Sequence, residues 1–172
     1  MEMMNNVKHK VFISFYHHDD EKYKECIEYL FDDKIINKSV SDGEFDSNNK
    51  DEYIKRLIRE NKITDSSIII VLVGRNTKRR KHVDWEIYAG LRRSIYGSSA
   101  LIGVILPEIN INNYMCYLPD RLKDNVKSGY AQCYDWSYFI RNFEDIIEKT
   151  YKDKNLLESK IDNSRIQMKE NR

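Results

Sequence analysis

The sequence is poor in residues that interrupt regular structure: two prolines and six glycines among 172. With twelve tyrosines beside them, that scarcity argues against disorder over most of the length. Cysteine is scarce too. Cys26, Cys116 and Cys133 are an odd count without C-x-x-C spacing, so neither a disulfide framework nor a zinc site is indicated. Net charge is nearly absent, with 29 Lys and Arg against 28 Asp and Glu, which removes any general pull toward nucleic acid or membrane. No apolar run approaches the roughly 18 residues of a membrane-spanning helix. The leader MEMMNNVKHK lacks the apolar stretch of a signal peptide. There is no G-x-G-x-x-G, no P-loop and no G-x-S-x-G, so dehydrogenase, NTPase and α/β-hydrolase readings have no motif to stand on. The expectation is a soluble cytoplasmic protein of one domain, long enough to bury a substantial core.

What is present is organised around Ile68 to Ile95. Ile68 to Val73 is a purely apolar run, long enough for a strand buried on both faces and too short for most helices. Gly74 breaks it, and Asn76 or Thr77 can cap a helix. Val83, Ile87, Leu91 and Ile95 then recur every four residues, the stripe of an amphipathic helix.

The rest repeats the pattern. Lys10 to Phe15 reads as a strand, and Tyr23, Cys26, Ile27, Leu30 and Phe31 fall on one face of a following helix capped by Asp19 or Asp20. Asp32 to Lys38 reads as a connector containing Ile35 and Ile36, leading into a short strand near Ser39 and Val40, with a turn-rich loop over Ser41 to Lys50. A helix follows from Asp51 to about Asn61. Ala100 to Leu106 is another buried strand, and 107–130 has no firm period, so it reads as a loop or irregular insertion. A last short strand is expected over Tyr130 to Tyr134, then one helix from Trp136 to Tyr151. The domain is expected to span 8–152, with 153–172 a polar tail, helical or disordered. Strand and helix in alternation predict an α/β fold, a mostly parallel sheet with helices on both faces. Ligands in such sheets bind beyond the carboxyl ends of the strands.

On a helix over 77–95, Val83, Ile87, Gly90, Leu91 and Ser94 share the buried side, and Glu86 lies roughly 80–100° from the stripe's centre. That places a carboxylate at the rim of the core, near strand ends, with only Ala89 and Gly90 one turn on. The plain alternative is a boundary glutamate paired with His82 at i, i+4. Lys78 to Lys81 would sit in the first helical turn, where cations oppose the macrodipole unless an anion is near. His17, His18, Asp19 and Asp20 are adjacent and cannot easily converge on one metal ion.

KVFISFYHHDD resembles the first motif of TIR domains, with Phe12, Ser14 and Phe15 filling the (F/Y)-x-S-(F/Y) pattern. KHVDWEIYAGL resembles the TIR helix that carries the catalytic glutamate. The closer resemblance is to the TIR-like family of bacterial antiphage Thoeris systems, in which a VLIG strand, a threonine, a short polar stretch and a WExx helix recur, as in VLVGRNTKRRKHVDWEI. It covers roughly residues 10–106. Here Trp85 adjoins the glutamate, whereas many TIR domains place tryptophan three or four residues before it.

The resemblance implies a flavodoxin-like TIR fold with a five-stranded sheet. It implies cleavage of NAD at the nicotinamide–ribose bond, in the manner of an NAD glycohydrolase or ADP-ribosyl cyclase, yielding a cyclic or conjugated ADP-ribose messenger for a separate effector protein. Glu86 takes the catalytic role, stabilising an oxocarbenium-like ribose. Ser14, Phe15, Tyr16, His17, Asp46, Arg80 and His82 are the expected substrate-binding residues, with Arg79 and Arg80 toward pyrophosphate. NAD is the substrate, and neither cofactor nor metal is required. The other reading is a non-catalytic scaffold that self-associates. A receiver-like domain is excluded because Gly74-Arg75-Asn76 offers no phosphoacceptor aspartate after the central strand.

Overall fold

The structure, a computed structural model, describes residues 7–39 and 52–172. Five strands form one sheet in the order β2-β1-β3-β4-β5, every neighbouring pair parallel. They are β1 (His9–Ser14), β2 (Ile35–Asn37), β3 (Ile68–Val73), β4 (Ala100–Ile105) and β5 (Gln132–Asp135). The helices between them are α1 (His17–Phe31), α2 (Glu52–Thr64), α3 (Lys81–Leu91) and α4 (Asp120–Ser128), with α5 (Trp136–Arg141) and α6 (Phe143–Asp153) after β5. The fold is α/β, and the expected mostly parallel sheet is entirely parallel. Every residue of β3 and β4 is buried, as continuous apolar strands covered on both faces must be.

Two cores follow from strand parity. Phe12, Ile69, Val71, Leu101 and Ile105 face one side, where Ile63 of α2, Val83 and Ile87 of α3 and Leu122 of α4 cover them. Val11, Ile13, Ile70, Ile102 and Val104 face the other, against Ile27 of α1 and Phe139, Phe143 and Ile147 of α5 and α6. Ser14 shares the parity of Phe12 and so belongs to the α2–α3 side; Phe15 falls to the α1–α6 side. Gly90 lets α3 press close to the sheet, since a Cβ there would lie 1.9 Å from Ile69 Cδ1.

Several expectations need correction. The helix expected over 77–95 is a 3-10 turn (Thr77–Arg79), an extended Arg80 and then α3. It stops at Leu91, because a tight turn pairs Ser94 with Gly97 and leaves Ile95 exposed. Residues 107–130 contain a 3-10 segment (Ile111–Cys116) and a regular helix, α4, closed by Gly129 at φ 86°. The short helix escaped notice because its buried members include Arg121 and Asn125, which a search for apolar periodicity discards. The helix from Trp136 breaks at Asn142, whose backbone leaves the helical region. Leu30 of the expected α1 face is exposed; the buried positions there are Asp20, Lys24 and Ile27.

Beyond α6 the chain forms a 3-10 turn (Glu158–Lys160) and then runs without regular structure along α4 and α3. Asn163 Nδ2 donates to the Tyr88 carbonyl, Met168 N to Asp84, and Arg172 N to the Arg79 carbonyl. Among the described residues no helix is long and apolar enough to cross a membrane.

Candidate functional site

Glu86 sits on the inward side of α3, 5 % exposed, at the carboxyl end of the sheet. Ser14, the last residue of β1, donates its hydroxyl to Glu86 Oε2. Arg59 of α2 brings Nε to 3.8 Å from Oε1. The carboxylate is therefore gripped by β1 and α2, rather than standing in open space at the rim as α3's own periodicity suggested. The adjacent strand and the facing helix cover it, and neither enters a single-helix projection.

His82, one turn before Glu86, pairs not with it but with the Phe15 carbonyl, 3.1 Å from Nε2. The His17 ring lies 6.0 Å from that of His82 and 4.2 Å from that of Phe15. Tyr16 carries the Arg80 guanidinium over its ring at 3.9 Å. Ser14, His82 and Glu86 are thus brought together, with His17, Tyr16 and Arg80 beside them. Phe15 differs from expectation: parity sends its side chain, 1 % exposed, into the opposite core, so what reaches the site side is its carbonyl. Asp46 lies outside the described residues.

The basic run diverges. Lys78 Nζ donates to the Cys116 carbonyl, Arg79 is exposed, Arg80 stacks on Tyr16, and Lys81 lies 5.1 Å from the Trp85 ring centroid. These cations do not form one patch, since the 3-10 turn and extended Arg80 rotate them apart. Among the described residues no group of three or more His, Cys, Asp or Glu could hold a metal ion.

Beside the site, Asp20 in the first turn of α1 is wholly buried against Gly74, where a Cβ would meet its Oδ2 at 2.5 Å. Burial first, then the charges of Glu108 and Asp19, push its carboxyl up to about 7. Thr77 donates its hydroxyl to the Leu72 carbonyl, 3.1 Å away, and accepts the Gly74 N–H at 2.8 Å, closing the end of β3. The Thr77 cap therefore serves the strand's end rather than a helix. On the far side of α3, Asp84 receives Arg121, wholly buried, at 2.9 Å. Trp85 Nε1 donates to the Met168 carbonyl at 2.7 Å, and the Arg56 guanidinium stacks 4.4 Å from the Trp85 ring.

A family model described as Thoeris protein ThsB, TIR-like domain, matches residues 12–110. The chain belongs to that family. Its matched span begins in β1 and ends just past β4, so it holds both Ser14 and Glu86 of the TIR-like domain. Among solved structures, the TIR domains of the activated Roq1 resistosome directly recognising the pathogen effector XopQ are similar at 15 % identity and a TM-score of 0.48. That likeness covers 90 % of this chain and 84 % of the other. A comparison with curated proteins gave no match.

Arg59, Asp20, Asp84 and Arg121 all escaped the sequence reading of the TIR-like domain. Arg59 follows Arg56 by three positions on α2 and looks like ordinary helix-surface charge until the fold turns it toward Glu86. Asp20 enters the sequence analysis as a helix cap and as one of four adjacent residues unable to converge on a metal, whereas α1 begins at His17 with Tyr16 at its cap and Asp20 is a buried acid. For Asp84 and Arg121 the pairing spans 37 positions, and no local signal could have joined them.

Proposed function

We propose that this TIR-like domain is an NAD-cleaving enzyme of bacterial antiphage defence, with Glu86 as its catalytic residue. The single observation that supports the reading is a carboxylate buried beside Ser14 and Arg59 at the strand ends of a fold whose family is Thoeris. In the reaction the C1′–N bond breaks, its electron pair leaves on the nicotinamide nitrogen, and the ribose carries the positive charge. A fixed anion lowers the energy of that oxocarbenium-like state and accepts hydrogen bonds from the ribose hydroxyls. Water or a hydroxyl of the substrate then captures the ribose and releases a proton. The ADP-ribose product would act in the cytoplasm as a messenger for a separate effector protein.

The test is nicotinamide release from NAD by the purified chain, alone and with phage-derived triggers, with products identified by mass spectrometry. Glu86→Gln is expected to lower the rate about 10²–10³-fold with the fold intact. A wild-type chain that leaves NAD untouched under all these conditions would favour the scaffold reading, in which Glu86→Gln is neutral and surface substitutions abolish self-association.

A further inference from the structure

The two oxygens of Glu86 are held from different elements and in different ways. Oε2 accepts a hydrogen bond from Ser14, at the end of β1. Oε1 faces Arg59 Nε from α2 at 3.8 Å, an ion-pair distance too long for a hydrogen bond. Arg59 therefore attracts the carboxylate through its charge rather than through a hydrogen bond from Nε. A neutral hydroxyl alone would be poor compensation for an anion so deeply buried, so the cation has a clear electrostatic purpose.

Arg56, one turn earlier on the same helix, is committed elsewhere. It pairs with Glu60 at 3.0 Å, donates to Gln167 at 2.7 Å and stacks on Trp85. Those contacts brace α2 against α3 and against the C-terminal segment, and this fixes the base from which Arg59 reaches. α2 and α3 are packed side by side on one face of the sheet, so the reach is short.

We infer that Arg59 is a positioning residue for Glu86: with Ser14 it forms a two-point clamp that fixes the orientation of the carboxylate. The inference rests on the NAD-cleaving reading for its catalytic consequence, but not for the clamp itself. Ser14, expected to bind substrate, is reassigned by the same geometry to holding Glu86.

The experiment has two arms on the full chain. In the first, nicotinamide release is measured for Arg59→Ala, Arg59→Lys and Ser14→Ala. Arg59→Ala is expected to lower kcat about 30-fold or more with KM within about threefold, and Arg59→Lys or added guanidinium to restore much of the loss. A raised KM at unchanged kcat, or no change in either, overturns the assignment. In the second arm, urea-unfolding midpoints are measured for Arg59→Ala, Glu86→Gln and the double variant. Non-additive shifts support the clamp, and additive ones overturn it. If the wild type releases no nicotinamide while the cycle is non-additive, the NAD reading fails and the clamp stands.

Discussion

Arg121, wholly buried in α4, grips Asp84 with Nε at 2.9 Å and Nη2 at 3.3 Å, two residues before Glu86 on α3. Its remaining donor, Nη1, reaches the Asn163 side chain and the Arg165 carbonyl, while Asp84 Oδ2 also accepts the Met168 N–H. One ion pair thus joins α3, α4 and the C-terminal segment. Such a pair is stable because every polar atom finds a partner.

Removing one member leaves the other charge buried. Arg121→Met is expected to cost about 3–5 kcal/mol in urea unfolding, because among the described residues it leaves the buried Asp84 carboxylate with the Met168 N–H and without its cation. Replacing Asp84 by Leu in the same chain should recover part of that loss. A single variant within about 0.5 kcal/mol of wild type would contradict the account.

The C-terminal segment is held by polar contacts to buried groups more than by apolar burial. Ending the chain after Ile161 removes the partners of Trp85 Nε1 and Arg121 Nη1 and the Met168 N–H from Asp84 Oδ2, which keeps Arg121 Nη2. The expected result is a loss of about 2–4 kcal/mol, since hydrogen bonds to charged groups contribute about 1.5–3 kcal/mol each and water replaces some. In a Trp136→Phe background the emission of Trp85 should shift to the red. Unchanged midpoint and emission would mean that the segment contributes nothing to α3.

Asp20 makes stability fall as pH rises. Its folded-state value is about 7 against an ordinary 3.8, so between these the native chain holds a proton that the unfolded chain has released. Stability is then full below about pH 4 and is lost through neutrality, the opposite of the usual carboxylate. Burial, then the charges of Glu108 and Asp19, raise this value, and the Thr77 hydrogen bond and the Lys22 charge lower it. Asp20→Asn, which keeps the shape of the neutral acid, should stabilise the chain most at pH 8 and change it little at pH 4. The check is denaturant unfolding at both values; an equal effect at each would rule out titration of Asp20.

The legible part of the fold was the part with a period. The expected bounds of β3 match the observed ones, and those of β1 and β4 lie within one position of them. Misreadings gathered where polar side chains are buried: α4 was missed through Arg121 and Asn125, and the α1 face was misdrawn because Asp20 and Lys24 point inward. Binary patterning has no symbol for a charge whose partner is far along the chain.

By itself the sequence determined the parallel α/β architecture, because two fully apolar strands must be covered on both faces by the helices around them. It also singled out Glu86, which sits off the centre of a helical stripe near strand ends. Only the tertiary structure decided what surrounds that carboxylate. Strand parity turned Ser14 toward α3 and Phe15 away from it, and the packing of α2 on α3 brought Arg59 to the other oxygen. Those contacts join positions 72 and 27 residues apart. Their cause is the crossing of a strand and two helices in space, which no local spacing encodes.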